Sequence, residues 1–189
     1  TGWGMDAFVA AFTIPSLVRR ILGEEICERS LIPPSQSRME RGDTAGGWRM
    51  ASAIFNWLLL CLLAAMILLY VATPLLVRVI VPGLSAEAFS WAVKMTYVIL
   101  PFLVFIGIAA YVGILLNFFK RTMVFALAPA VLSIGVIFSV WLLRKPLGLY
   151  CLPVGFVIGA CLQAAIQIPF LFSRTMREEH RIHFYLTLQ

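Results

Sequence analysis

The sequence predicts an all-α membrane protein, a polytopic bundle of helices that crosses the bilayer several times. Of its 189 residues, 61% are hydrophobic and only 13% are charged, and the mean hydropathy is +0.94. A soluble domain has about 45–50% apolar and about 25% charged residues, so lipid must surround most of this chain, which is also too apolar to be disordered. The apolar stretches are long and do not alternate with polar residues, which favours a bundle of helices over a β-barrel.

Uncharged runs locate the membrane spans, because about 20 residues at 1.5 Å per residue cross the roughly 30 Å hydrocarbon core. Four runs are long enough, and a shorter first run becomes long enough if the charges beside it lie at the two interfaces. The predicted helices cover about residues 5–22, 50–72, 95–119, 122–143 and 148–172. The region 1–173 is therefore predicted to be membrane-embedded, with a polar loop at 23–49 and a charged tail at 174–189.

Lys and Arg are unevenly divided between the two sides of the predicted membrane. Alternating crossings place all but four of the 15 on the side that holds loop 23–49 and tail 174–189. The positive-inside rule then puts this loop and this tail in the cytoplasm. The net charge of +6 is accordingly interpreted as membrane topology, with membrane lipids and not nucleic acid as partners. The four exceptions are Arg78, Lys94, Arg144 and Lys145.

The first predicted helix concentrates polar side chains in one arc of about 80° at 100° per residue. They are Asp6, Thr13, Ser16, Arg20 and Glu24. Arg19 lies roughly 100° from Arg20 on an ideal helix, but Pro15 interrupts the hydrogen-bond ladder and lets the two halves rotate. A charge at mid-bilayer costs about 2.5–3.5 kcal/mol on insertion scales. Two interpretations stay open: a polar wall that binds an anionic ligand through arginine, or charges that extend to the two interfaces.

Small and amide residues follow each other at four-residue spacing in the last predicted span. Small residues let helix backbones approach closely, and amides can hydrogen-bond between helices, so we predict a helix-packing face. This face is Gly155, Gly159, Gln163 and Gln167, and a similar stripe in the third span is Ala109, Gly113 and Asn117. Proline at three positions inside spans predicts helix kinks. These are Pro101, Pro129 and Pro169.

Enzyme chemistry is not predicted. The sequence shows no Ser–His–Asp set, no Walker loop and no pair of carboxylates within a span. The two histidines, His180 and His183, lie in the charged tail, where solvation is the simpler interpretation than metal binding. The four cysteines form no CxxC pair and are predicted to be small buried hydrophobes. We therefore expect no catalytic residue, no metal and no cofactor.

Residues 6–25 have the sequence DAFVAAFTIPSLVRRILGEE. This string resembles a motif of the MurJ/MviN family of lipid II flippases, which is DAF-x-x-AF-x-(I/L)PN-x-x-RR-x-x-x-EG. In that family the motif lies on the second of about 14 membrane helices. The likeness continues in order along about residues 2–172. It is carried by LIPP at 31–34, VPGL at 81–84, ILPFLVFIGIAAYVGILLNFFKR at 99–121, LAPAVLSIGVI at 127–137 and GACLQAAIQIPFL at 159–171.

The resemblance implies most of the first lobe of a two-lobed exporter, of the superfamily that includes multidrug antiporters and polysaccharide flippases. It implies about five membrane helices here, a further helix before Thr1, and a missing C-terminal lobe as partner. The start at Thr1 instead of Met fits a piece of a longer reading frame. The implied function is alternating-access flipping of lipid II, or a similar lipid-linked pyrophosphate, in the bacterial inner membrane for cell-wall biogenesis.

Carried over by motif position, Arg19 matches the family's cavity arginine and Arg20 the second arginine, so both are expected to bind substrate. Asp6 and Glu24 match acidic positions near the two ends of the helix and are expected to act in gating. The sequence departs from the family at three positions, which are Ser16 for Asn, Glu25 for Gly and Ser133 for Asn. The alternatives are a drug or polysaccharide exporter of the same superfamily, and a structural membrane subunit that transports nothing.

Overall fold

The computed structural model describes residues 43–80, 83, 85–119 and 122–171, together with the single positions 13, 37 and 41. Apart from Thr13, the predicted first helix at 5–22 lies outside the described residues, as do most of loop 23–49 and the tail 174–189. The described chain is helical, with a short 3-10 turn, Gly148–Tyr150, between the last two helices. The helices are α1 (Thr44–Ile80), α2 (Ala86–Phe118), α3 (Thr122–Leu147) and α4 (Cys151–Leu171).

Three segments of the described chain are long and apolar enough to cross a membrane. The third, Ala126–Leu171, runs through the 3-10 turn and so contains parts of both α3 and α4. The all-helical membrane fold is thus confirmed, whereas the expected number of about five spans is not. The other two segments are Ala45–Val79 and Ala86–Asn117.

Helix α1 extends beyond the predicted span 50–72 at both ends, and α2 begins nine residues before the predicted span 95–119. The 37 residues of α1 continue through Pro74 to Ile80, a length of about 55 Å. Helix α2 begins at Ala86 because Ser85 caps it, with the Ser85 hydroxyl accepting from the Ala88 N–H at 3.3 Å. A run of uncharged residues measures the part of a helix that suits lipid, while capping residues decide where the helix starts.

Helix α2 forms the centre of the described bundle, since it packs against both α1 and α4. In its span 61% of the residues are buried, against 22% in the α1 span. Leucines fill the contact between α1 and α2, while Ile99, Phe102 and Ile106 of α2 meet Ala160 of α4. Helix α4 also packs along α3, and α3 contacts α2 directly as well.

Two aromatic pairs mark the two ends of the bundle. Trp48 stacks on Phe119 at 5.5 Å between ring centroids, and Trp91 meets Tyr150 at 5.2 Å. Trp91 and Phe119 are separated by 28 positions, which correspond to about 42 Å of helix and match the roughly 40–45 Å of a bilayer with its headgroups. The pairs thus lie where interfacial aromatic residues are expected. Trp57 differs from these residues, because it lies well inside the long α1.

Candidate functional site

The residues predicted to bind substrate and to gate a cavity lie outside the described part of the chain. They are Asp6, Arg19, Arg20 and Glu24. Their roles stay predictions. The structure describes the second part of the predicted site, the α4 face, and the polar groups that the other helices bring into the bundle.

Gly155 and Gly159 of α4 lie against the backbone of α3, and both are buried. A Cβ atom on Gly159 would lie 2.8 Å from the Leu132 carbonyl oxygen, closer than real Cβ contacts. The fit is mutual, because a Cβ on Gly135 of α3 would lie 2.8 Å from the Gly159 Cα. Glycine is therefore required on both helices at this crossing. The contact at Gly155 is less tight, because a Cβ atom added there would lie 3.4 Å from the Val136 carbonyl oxygen.

Gln163 and Gln167 follow these glycines on α4 and are buried, with only 8% and 2% of their surface exposed. Their side-chain oxygens, Oε1, accept no hydrogen bond within the part of the chain that the structure describes. A buried acceptor without a donor costs about 1–3 kcal/mol. The sequence analysis predicted hydrogen bonds from these amides to another helix, and among the described residues no donor reaches their Oε1 atoms, so that prediction stays open.

The stripe predicted on the third span lies near the C-terminal end of α2. Ala109 and Gly113 are buried, while Asn117 is exposed in the last turn. The tighter contact lies at Gly107, which the four-residue spacing missed. A Cβ on Gly107 would come 2.5 Å from the Leu62 side chain of α1, so this glycine makes room for a leucine of the neighbouring helix.

Several hydroxyl groups in the described helices donate hydrogen bonds to backbone carbonyls. Thr73 donates to the Leu69 carbonyl at 2.6 Å and Thr96 to the Ala92 carbonyl at 2.8 Å, each one turn back in its own helix. The Tyr111 hydroxyl instead donates to the Ala51 carbonyl at 2.6 Å and so joins α2 to α1. The sequence did not indicate this bond, because its partners are 60 residues apart.

Each described helix contains a proline within its length. Pro101, Pro129 and Pro169 were expected inside spans, and the structure adds Pro74 in α1 and Pro146 near the end of α3. Each proline removes one backbone N–H and leaves the carbonyl four residues earlier without its usual helical donor. Separately from these gaps, the Ser133 hydroxyl donates to the Pro129 carbonyl at 3.0 Å, one turn back in its own helix.

The described residues contain no group of three or more His, Cys, Asp and Glu side chains that could hold a metal ion. Three of the cysteines are described, and all three are free. Cys151 is buried as expected, but Cys61 and Cys161 are exposed on the bundle surface. They lie in the apolar helices α1 and α4, where lipid would cover them.

Comparison with known proteins decides the family. The family model described as Lipid II flippase MurJ matches residues 1–187, nearly the whole chain. The chain belongs to the MurJ lipid II flippase family. This confirms the resemblance that the motif at 6–25 indicated, and it identifies the described bundle as part of a multi-pass membrane protein.

Curated relatives of the MurJ family match over most of this chain. A probable lipid II flippase MurJ of Rhizobium tropici is 33% identical over 140 residues, and one of Rickettsia prowazekii is 31% identical over 134 residues. They cover 72% and 70% of this chain. The lipid II flippase MurJ of Burkholderia cenocepacia is 28% identical and covers 87%. This chain spans only 26% to 33% of the length of these relatives.

A solved structure shares the fold. It is the lipid II flippase MurJ in its inward closed conformation, with a TM-score of 0.75 and 24% sequence identity. The match covers 98% of this chain and 38% of the solved chain. This chain therefore has the fold of the part of MurJ that it matches.

Proposed function

We propose that this chain forms most of the first lobe of a lipid II flippase that works by alternating access in bacterial cell-wall biogenesis. The family match over residues 1–187 carries the proposal. The proposed lobe has about five membrane helices in the bacterial inner membrane, with loop 23–49 and tail 174–189 in the cytoplasm. Its partners are membrane lipids and the C-terminal lobe of the same protein.

Transport of this kind requires a cation inside the membrane and no covalent chemistry. A lipid-linked pyrophosphate is strongly anionic, and the low dielectric of the bilayer core makes its passage unfavourable without a counter-charge. Arginine matches phosphate through paired N–H donors. We propose that Arg19 and Arg20 bind the pyrophosphate, and that Asp6 and Glu24 hold the two ends of the cavity closed in turn.

The described helices support this role as a scaffold. Alternating access is largely a rigid-body movement of one lobe against another. The backbone contact of Gly159 with Leu132 ties α3 to α4, and the Tyr111–Ala51 hydrogen bond ties α1 to α2. Since α2 also packs on α4, the four helices can move as one unit.

The test is Arg19→Ala in the intact gene, scored by complementation of a bacterial strain depleted of its own flippase. We expect loss of growth rescue at equal protein level. The matched control is Arg144→Ala, which removes an exposed arginine from the last turn of α3 and should rescue growth. Full rescue by Arg19→Ala would remove this residue from the mechanism.

A binding measurement on the purified protein separates the proposed substrate from that of a drug exporter. We expect lipid II to bind and Arg19→Ala to weaken it, while cationic drugs neither bind nor compete. Displacement of lipid II by cationic drugs would favour a drug exporter. Binding of neither ligand, together with no growth rescue by the unaltered protein, would favour a structural subunit.

A further inference from the structure

Two glutamine side chains of α4 are enclosed in the bundle, although the described residues give their oxygens no donor. Gln163 and Gln167 lie one helical turn apart, with 8% and 2% of their surface exposed. Neither Oε1 atom accepts a hydrogen bond from the described residues. Buried polar groups without partners are rare in proteins, and they mark stored strain, a functional role or a bound group. The two amides therefore require an explanation beyond helix packing.

The two amides face helix α2. On α4, Ala160 packs against α2, and Leu171 joins the cluster of leucines that fills the contact between α1 and α2. Gln163 and Gln167 lie between these two residues along α4, and within about 60° of Ala160 around it. Both amides therefore point into the side of α4 that the bundle encloses.

Helix α2 presents small residues to these amides. The ring contact between Phe102 and Phe156 sets the register of α2 against α4. The two helices run in the same direction, so counting equally from each ring places Ala109 and Gly113 of α2 opposite the two glutamines. Both are buried, and neither has a polar side chain. A donor for the amide oxygens must therefore come from outside the four described helices.

The chain before α1 contains donors with the matching spacing and depth, in the predicted first helix at 5–22. Successive spans alternate in direction, so this helix crosses the bilayer in the same direction as α4. Ser16 and Arg20 lie one turn apart, as the two glutamines do. Each pair begins about 3–4 Å past the middle of its helix. Polar residues in membrane helices face protein or water instead of lipid, so this arc needs such a surface.

An arginine that binds phosphate in a closed cavity needs further acceptors. Its guanidinium has five N–H donors, and a bidentate phosphate takes two of them. Water accepts from the others in an open aqueous cavity, but closure around a substrate expels that water. An amide oxygen can then accept from the guanidinium without cancelling its positive charge, whereas a carboxylate would compete with the phosphate.

We propose that Gln163 and Gln167 position the predicted first helix against α4 when the cavity closes around its anionic substrate. The Gln167 oxygen accepts from the Arg20 guanidinium, which keeps two N–H donors for the pyrophosphate. The Gln163 oxygen accepts from the Ser16 hydroxyl. The two amides are positioning residues and do not touch the substrate. This proposal rests on the proposed function, because it assigns a second contact to an arginine of that site.

Lipid II binding to the purified full-length protein tests the positioning role. We expect Gln167→Leu to weaken binding about tenfold, since a hydrogen bond to a charged group contributes on that scale. The stability of the ligand-free protein should not fall, whereas loss of a purely structural contact would lower it. The matched control is Asn56→Leu, which removes an exposed amide from α1 and should leave binding unchanged.

A double-mutant cycle identifies the donor. In the Arg20→Ala background, Gln167→Leu should weaken lipid II binding no further, because the donor is already gone. Additive effects of the two substitutions, or equal effects of Gln167→Leu and Asn56→Leu, would overturn the proposal. Absence of lipid II binding by the unaltered protein would instead contradict the proposed function.

Disulfide formation tests the helix contact directly, in full-length protein whose native cysteines are replaced by serine. We expect Ser16→Cys to cross-link with Gln163→Cys under mild oxidation, with a higher yield when lipid II is added. The control pairs Ser16→Cys with Ala165→Cys, on the exposed side of α4, and should not cross-link. Absence of the first cross-link, or equal yields at the two α4 positions, would place the first helix elsewhere and overturn the proposal.

Discussion

The two helical hairpins of this bundle are held together in different ways. Helices α1 and α2 interlock through large side chains, with Leu62 and Leu103 fully buried between them, and through the Tyr111–Ala51 hydrogen bond. Helices α3 and α4 instead bring their backbones together where Gly135 meets Gly159.

The difference shows two solutions to one physical problem. Lipid tails are as apolar as leucine, so the hydrophobic effect does not drive one membrane helix against another. Close van der Waals packing and hydrogen bonds must do so. Helices α1 and α2 are held together by the packing of large side chains and by one hydrogen bond. Helices α3 and α4 are held together by contact between their backbones, which glycine permits. The two pairs should therefore respond to opposite kinds of substitution.

The largest effect is expected from adding volume to the α3–α4 contact. Gly159→Leu would drive a side chain into the Leu132 carbonyl, and we expect a loss of about 3 kcal/mol in the free energy of unfolding. Denaturant unfolding of the purified protein in detergent measures it. Ala165→Leu, on the exposed side of the same helix, is the control and should be nearly neutral. Equal stability of both variants would show that this crossing tolerates side chains.

Removing volume should matter most in the α1–α2 pair. Leu62→Ala deletes a fully buried side chain that fills the space above Gly107, and we expect a loss of about 2 kcal/mol. Leu60→Ala removes the same atoms from an exposed position of α1 and serves as control. The same unfolding measurement applies. If the two leucines proved equivalent, packing between α1 and α2 would not be what holds them together.

The hydrogen bond between these helices should contribute less. Tyr111→Phe keeps the ring but leaves the Ala51 carbonyl without this donor, which should cost about 1 kcal/mol. Tyr70→Phe is the matched control, because the Tyr70 ring stacks on Tyr97 and its side chain is exposed. A difference too small to detect between the two variants would mean that the bond adds no stability.

The smallest effect has the opposite sign. Gln167→Leu removes a buried oxygen that has no donor among the described residues, so we expect stability to rise by about 0.5 kcal/mol. Asn117→Leu removes an exposed amide near the end of α2 and should not stabilise. A clear loss of stability in Gln167→Leu would show that the amide has a partner in the intact protein and belongs to a functional polar network.

Sequence reasoning predicted the described helices, because each contains an uncharged run long enough to cross lipid. It placed their ends less well, since α1 passes through Pro74 and α2 starts at the Ser85 cap. The spacing of Gly155 and Gly159 indicated the face that meets α3. Gly107 and the Tyr111–Ala51 bond could not be predicted, because each depends on a residue far away in the sequence.

The central claim is that Arg19 lies in an enclosed aqueous cavity that receives a lipid pyrophosphate. The direct measurement is labelling of Arg19→Cys by a small water-soluble thiol reagent, in full-length protein whose native cysteines are replaced by serine. We predict labelling that lipid II prevents and phosphatidylglycerol does not. No labelling would place the side chain against acyl chains or protein. Labelling that lipid II leaves unchanged would place it in open water. Either result would contradict the account.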